Sequence, residues 1–243
     1  MGSVTAATVT VRPQIDGQIL SLSFKEGELV QAGKLLATID PRPYQSQLVQ
    51  IEGNLSQDQA QLANARIDLA RYRNLATANA IPASQADSQA TVVAQMEAKV
   101  KAGQAAVDGV KLQLAYCQIT APISGVAGLR LVDAGNVVHA SDSTGIVVIN
   151  QLQPISVVFT LPEDVLPGVL AHLRSGQTPP VEAWNRSNTS RIASGRLIAV
   201  DNQIDKETGT AKLKAVFDNQ DGALFPNQFV NVRVLLYARK PAR

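Results

Sequence analysis

The sequence predicts an elongated, multidomain protein of mixed α and β class. A β-rich unit is split into two halves by an antiparallel coiled-coil hairpin, and a small β-barrel with one short helix follows. Three observations predict this. From Tyr44 to Leu114, apolar residues recur in steps of four and three; the stretches before and after that region carry matching glycine and valine spacings; beyond Pro154, short alternating runs are separated by turn residues.

The helical seam reads Tyr44, Leu48, Ile51, Leu55, Asp58, Leu62, Ala65, Leu69, Tyr72 and Ala76, then Val93, Met96, Val100, Gly103, Val107, Val110 and Leu114. A mean step near 3.5 keeps one seam against a partner helix. Ala78-Asn79-Ala80-Ile81-Pro82 supplies the reversal, because the residue before proline disfavours helix and proline suits a first helical turn. Each arm is expected to be about 50 Å long. Asp40 is the expected N-cap of the first arm, with Pro41 at its first helical position. Gly53, Gly103 and Gly109 weaken the helices; Gly103 lies on the seam, where a missing side chain lets the arms approach, and the sequence offers no reason for the other two.

On one side of the hairpin stand Ile15-Asp16-Gly17, Gly27 and Val30; on the other, Ile123-Ser124-Gly125, Gly135 and Val138, at the same intervals. Two similar halves flanking an insertion read as one domain made of two repeats, with glycines in equivalent tight turns. Strands are expected over Thr8–Arg12, Gln18–Phe24 and Lys34–Ile39, with Gly27 and Gly33 in turns. The expected divisions are 8–42 and 115–152 for the split domain, 43–114 for the hairpin with its tip near 74–84, and 153–237 for the barrel. In the barrel, Ile155–Phe159, Val181–Trp184, Arg191–Val200, Thr210–Phe217 and Phe229–Leu236 are strand candidates, and Pro162–Leu173 a short helix.

An aromatic content of only 4% favours small cores and long helices over one large globule, and a net charge of +2 gives no nucleic-acid footprint. The apolar runs, such as Gly145–Ile149, are too short to span a bilayer. Met1-Gly2-Ser3 reads as a cloning scar, and no targeting segment is visible. Cys117 cannot form an internal disulfide and reads as a packed thiol. His139 and His172 lack metal-ligand spacing, Asp201, Asp205 and Glu207 read as turn acids, and there is no nucleophile elbow, phosphate loop or dinucleotide fingerprint. No metal, cofactor or catalytic residue is expected, so the chain should act by contact.

An ordered set of segments carries a resemblance across nearly the whole length. It comprises Gly17-Gln18-Ile19, Glu26-Gly27 with Val30 and Gly33, and Ile39-Asp40-Pro41. It continues with Leu114-Ala115-Tyr116, Ile119-Thr120-Ala121-Pro122-Ile123-Ser124-Gly125 and Phe159-Thr160-Leu161-Pro162-Glu163. Val181-Glu182-Ala183-Trp184, Asp201-Asn202-Gln203-Ile204-Asp205 with Thr208-Gly209-Thr210, and Ala223-Leu224-Phe225-Pro226-Asn227-Gln228-Phe229-Val230-Asn231 complete it. The chain resembles the periplasmic adaptors, or membrane fusion proteins, of tripartite resistance–nodulation–division multidrug efflux pumps, and within them the MdtA type. The resemblance implies that the split halves form a lipoyl-like β-sandwich. Carrier domains of that kind bear a modified lysine at the turn that the hairpin replaces here, and no lysine stands in its place.

The resemblance also implies that the hairpin tip meets a TolC-type outer-membrane channel through an Arg, a Leu four residues on and a Ser eleven residues after the Arg. Arg71 and Leu75 match; the third position is Pro82, which has no hydroxyl, and Ser84 stands two residues late. The turn Asp205, Thr208, Gly209, Thr210 is the implied transporter-facing feature of the barrel. The implied partners are an inner-membrane drug/proton antiporter, the channel, and further copies in a hexameric ring, with no nucleic acid. The implied location is the Gram-negative periplasm, attached to the inner membrane. The family's membrane-proximal domain is expected to be missing from these 243 residues. Two other readings stand beside this one: an adaptor for an ATP-driven exporter or type I secretion system, and a biotin or lipoyl carrier subunit, which the missing lysine disfavours.

Overall fold

The structure, a computed structural model, describes residues 1–236. The barrel's expected end at Tyr237 lies outside the described residues. Two helices dominate it: α1, Arg42–Thr77, and α2, Ala83–Tyr116, with 36 and 34 residues. Along α1 the buried residues are Leu55, Leu62, Ala65 and Leu69; along α2 they are Val93, Val107 and Val110, all on the predicted seam. The remaining faces are largely exposed, so the arms hold each other through one narrow apolar stripe.

Polar cross-links flank that stripe. Lys99 pairs with Asp58 at 2.6 Å, Arg66 with Glu97 at 2.7 Å, and Lys111 with Glu52 at 3.5 Å. Exposed pairs of this kind contribute roughly 0.2–1 kcal/mol each. Asp58 sits on the seam itself, and a polar seam residue with one partner fixes register more than it stabilises. Gly103 faces Leu55 so closely that a Cβ there would stand 3.1 Å from Leu55 Cδ1, which accounts for the glycine. Gly53 and Gly109 have nothing within 4 Å of the same construction. Replacing either by alanine is therefore expected to stabilise the hairpin by about 1 kcal/mol, read as a higher denaturation midpoint of the helical circular dichroism signal.

The helix starts differ by one residue from expectation. Pro41 is the N-cap of α1 and Arg42 its first residue; no side chain caps by the ordinary route. Asp40, one position earlier, accepts the Arg42 amide at 3.0 Å and holds its guanidinium at 2.7 Å. Those bonds keep the Asp40 carboxyl below the usual aspartate range.

The two halves pair by exchange. The first half contributes β2 (Gly17–Leu22), β3 (Leu29–Val30) and β4 (Leu35–Ile39); the second contributes β5 (Gln118–Thr120), β6 (Gly125–Arg130) and β7 (Val137–Val138). Gly17 pairs with Val138 and Gln18 with Val137, while Gly125 pairs with Val30 and Val126 with Leu29. The turn bonds repeat the relation: Gly135 N–H donates to the Ile19 carbonyl and Gly27 N–H to the Ala127 carbonyl, each at 2.8 Å. The internal repeat read from glycine spacing is thus a pseudo-two-fold, in which each half completes the other's sheet. Ile19, Val30, Leu36, Ile39, Ala127 and Ile149 are fully buried in its core. The hairpin grows from the β4–β5 pair, where Ile39 N–H donates to the Cys117 carbonyl at 2.8 Å and Tyr44 Oη to the Asp16 carbonyl at 2.8 Å.

Two long strands cross from this sandwich into the barrel: β1 (Gly2–Val11) and β8 (Val147–Pro162). With β9 (Pro180–Trp184), β10 (Arg191–Asp205), β11 (Thr210–Phe217) and β12 (Phe229–Val234) they close a six-stranded barrel in the order β1-β12-β9-β10-β11-β8, sealed by β8 pairing back to β1. A 3-10 turn, Glu163–Val165, leads into α3 (Leu166–Arg174), whose Val169 is buried in the barrel core.

The first residues take part in the fold: Gly2 and Ser3 belong to β1, where they pair with Val230 and Phe229 on one side and Phe159 and Val158 on the other. A Cβ on Gly2 would stand 2.8 Å from Val232 Cγ2 and 2.9 Å from Val157 Cγ1, so glycine fits this place. The expected Thr8–Arg12 strand is accordingly only the second half of β1.

Candidate docking surfaces at the hairpin tip and the barrel turn

The tip begins where α1 runs out of partners. Ala78 is the C-cap, and Asn79 follows in the left-handed region at φ 57. Ala80 N–H donates to the Leu75 carbonyl at 2.9 Å and Asn79 N–H to the Ala76 carbonyl at 3.0 Å, closing a Schellman motif around an asparagine, one of the few residues that tolerates that backbone. The α2 arm opens less well. Pro82 is its N-cap, with extended backbone at ψ 139 and no side-chain cap, instead of lying in the first helical turn as expected. The serine implied by the resemblance would fall on this capping position. Ser84 is exposed inside the first turn of α2. Pro82→Ser is therefore expected to stabilise the α2 start by about 1 kcal/mol, read as slower amide exchange at Ser84 and Gln85.

Arg71 and Leu75 sit one helical turn apart on the last part of α1. The Arg71 side chain is 68% exposed, with a surface ion pair to Asp68 at 3.3 Å, and Leu75 is 39% exposed. Arg71, Leu75, Pro82 and Ser84 thus all reach solvent at one end of the molecule, on both arms of the hairpin. They present cationic and apolar side chains to solvent. Arg66, which adds charge below the tip, is already occupied by Glu97.

The barrel turn is tied from within. Asp205 Oδ1 accepts the amides of Glu207 at 3.0 Å and Thr208 at 3.3 Å, and these bonds keep its carboxyl below the usual range. Gly209, at φ 60, donates its N–H to the Asp205 carbonyl at 2.8 Å, and its own carbonyl accepts the Glu163 amide at 3.1 Å. The Thr208 and Thr210 hydroxyls lie 2.9 Å apart. Asp201, grouped with these acids by sequence, is separated from Asp205 by the length of an exposed strand end.

Sequence reasoning missed a cluster on the barrel wall. Glu182 and Trp184 alternate on β9, and β12 places Arg233 opposite Glu182. The Arg233 guanidinium lies 3.8 Å from the Trp184 ring centroid, Trp184 Nε1 donates to Glu182 at 3.0 Å, and Arg191 pairs with Glu182 at 2.9 Å. The chain's single tryptophan on an alternating strand was the available signal. Cys117 is buried, and burial pushes its thiol up, which suits packing rather than reactivity. Among the described residues no cluster of His, Cys, Asp and Glu could hold a metal ion, and no helix is long and apolar enough to cross a membrane.

Comparison with known proteins bears on the fold and the family of the chain. The family model described as the barrel-sandwich hybrid domain of RND membrane fusion proteins matches residues 7–150, and that of their β-barrel domain matches residues 154–237. Multidrug resistance protein MdtA of Pectobacterium carotovorum is 52% identical over 243 residues, covering 100% of this chain and 59% of the relative. The chain spans a little over half the length of the curated relatives it matches. Among solved structures, the membrane fusion protein Spr0693 of Streptococcus pneumoniae superposes with a TM-score of 0.70 at 16% identity, covering 98% of each chain. A MacA–MexA chimera carrying the Pseudomonas aeruginosa MexA α-hairpin gives 0.62 at 23%, covering 97% of this chain and 80% of the chimera. At those identities the structures speak for the fold; the family models and the MdtA identity speak for descent. This chain belongs to the RND membrane fusion protein family.

Proposed function

We propose that the chain is the core of a periplasmic adaptor that links an inner-membrane resistance–nodulation–division drug/proton antiporter to a TolC-type outer-membrane channel. It would act without catalysis, by geometry: the barrel docks toward the transporter, the sandwich packs beside further copies, and the hairpin presents its tip to the channel. The observation that carries this reading is the hairpin itself, two arms of more than thirty residues joined along one seam, with an exposed Arg71 and Leu75 at the far end. In this reading residues 8–42 and 115–152 are the sandwich and 43–114 the hairpin, while the barrel is 153–236 joined by the first residues of β1, Gly2 to Thr5. Arg71, Leu75, Pro82 and Ser84 face the channel, and the Asp205–Thr210 turn faces the transporter. Leu29 and Val137, equivalent under the pseudo-two-fold and 64% and 63% exposed on edge strands β3 and β7, suit lateral contact between copies in a ring.

The carrier reading has less support, because the β4–β5 connection that would bear a lysine holds the hairpin, entered through Asp40 and Arg42. The decisive experiment places a photo-cross-linker at Leu75 of the full-length protein in cells. An adduct with the outer-membrane channel is expected; adducts only with other proteins, at normal expression, would overturn the tip assignment.

A further inference from the structure

The sandwich and the barrel are joined where the ladder fails. β1 places Val4 in the barrel core and Val11 in the sandwich core; β8 places Ile155 and Val157 in the first and Val147 and Ile149 in the second. Between them Thr5 pairs with Ser156, but the next pair is Ala7 with Gln151, so Ala6 alone faces the segment from Leu152 to Ile155. A ribbon bends at such an interruption, because residues 152–154 carry no ladder pairing and Ile155 is held only on the other edge of β8, by Phe217.

Polar contacts with a barrel loop brace the interruption. Asn219, 5% exposed, lies in the barrel loop between β11 and β12. Its carboxamide nitrogen donates to the Leu152 and Leu224 carbonyls, each at 3.0 Å, and its oxygen accepts the Leu224 amide at 2.9 Å. From the other direction, Gln153 Nε2 donates to the Asn219 carbonyl at 3.1 Å and the Gln220 carbonyl at 3.4 Å. A buried amide with its donors and acceptor engaged defines direction as well as affinity, and stranding any of those groups is costly. On one side of the junction lies a groove of about 290 Å³, with Leu29, Val30 and Val126 of the sandwich on one wall and Leu152, Gln153 and Gly222 on the other.

We infer that this junction is a hinge latched by Asn219 and Gln153, whose release lets the barrel fold toward the sandwich by closing the groove. The latch consists of directional bonds from one loop, the pivot is the unpaired segment of β8, and the groove supplies the space the motion needs. Gly222, a turn glycine at φ 64, stands on the barrel wall of that groove. The inference stands apart from the identity of any partner, and its test needs none.

Nitroxides at Gln31→Cys and Gln220→Cys, on opposite sides of the groove, report its width by dipolar electron paramagnetic resonance in the whole chain, with Cys117→Ala as background. The latched chain should give one narrow distance population. Gln153→Ala should add a shorter, broader population, and Asn219→Ala should shift more of the molecules into it. Asn219 is buried and its variant must be shown to fold; Gln153 is exposed, so its variant decides the matter if the other does not. Distance distributions superimposable on the parent in folded variants would mean that the strands alone set the angle. A parent distribution already as broad as the variants' would mean that there is no latch. Either result overturns the proposal.

Discussion

On the adaptor function proposed above, Arg71→Asp is expected to abolish both the Leu75 cross-link to an outer-membrane channel and any drug resistance that depends on it. Arg71 is exposed and makes only a surface pair with Asp68, so its charge contributes little to the hairpin's own stability and is available to a partner. Reversal leaves two carboxylates one turn apart, Asp68 and the introduced one, at the end of a helix already short of seam contacts. Like charges at this spacing cost a few tenths of a kcal/mol, too little to unfold a 36-residue helix. At a docked interface the same change removes a cation and adds an anion where a partner has been shaped for the former. That costs roughly 2–5 kcal/mol, or about thirtyfold to several thousandfold in affinity. Adduct and resistance should therefore vanish together while expression and helical content stay at the parent level. Retention of both would remove Arg71 from the contact and leave Pro82 as the mark of a different docking mode. Arg66→Asp serves as the comparison, because it breaks the Glu97 pair below the tip and should weaken the hairpin without the same selective loss.

How much of this was legible beforehand follows from what each segment is asked to bury. The hairpin could be read residue by residue, because one uninterrupted stripe does one job along its whole length, and even Gly103 found its reason in Leu55. The two halves were legible because close approaches and turns demand glycine at both equivalent places. The strand β1 was not, because it serves two cores. Its burial alternates from Gly2 to Thr5, lapses through Ala6 and Ala7, and ends buried at Val11, so no single period runs through it. The far end of β10 was missed for a related reason. Beyond Val200 both faces are exposed through Asp205, with an irregular register against β11, and polar residues there look like a turn. Asn219 lies in Asp218-Asn219-Gln220-Asp221-Gly222, which reads as a solvated loop; its burial depends on the Leu152 carbonyl, far away in sequence. The tip residues could be located, but Pro82's capping position could not, because proline fits either the cap or the first turn.

The pseudo-two-fold makes a second large prediction, on stability. Gly125→Ala is expected to destabilise the protein by about 3 kcal/mol or more, while Gly135→Ala in the same half costs about 1 kcal/mol. Gly125 starts β6, and a Cβ there would overlap the backbone carbonyl of Asn150 on β8. That carbonyl cannot rotate aside as a side chain would. Asn150 is paired with Val126 on one edge of β8 and with Thr8 on the other, so its displacement strains β1 as well. Gly135, by contrast, holds a left-handed turn at φ 94 with nothing within 4 Å, and alanine pays only the backbone penalty. Because β1 and β8 also form two staves of the barrel, the Gly125 variant should lower the unfolding temperature of the barrel signal from Trp184 along with that of the sandwich. The Gly135 variant should leave the Trp184 transition near its parent value. Equal melting of the two variants would show that the sandwich yields at Asn150 more easily than a backbone-to-backbone contact in a paired ribbon allows, and the strict reciprocity of the two halves would then have no mechanical consequence.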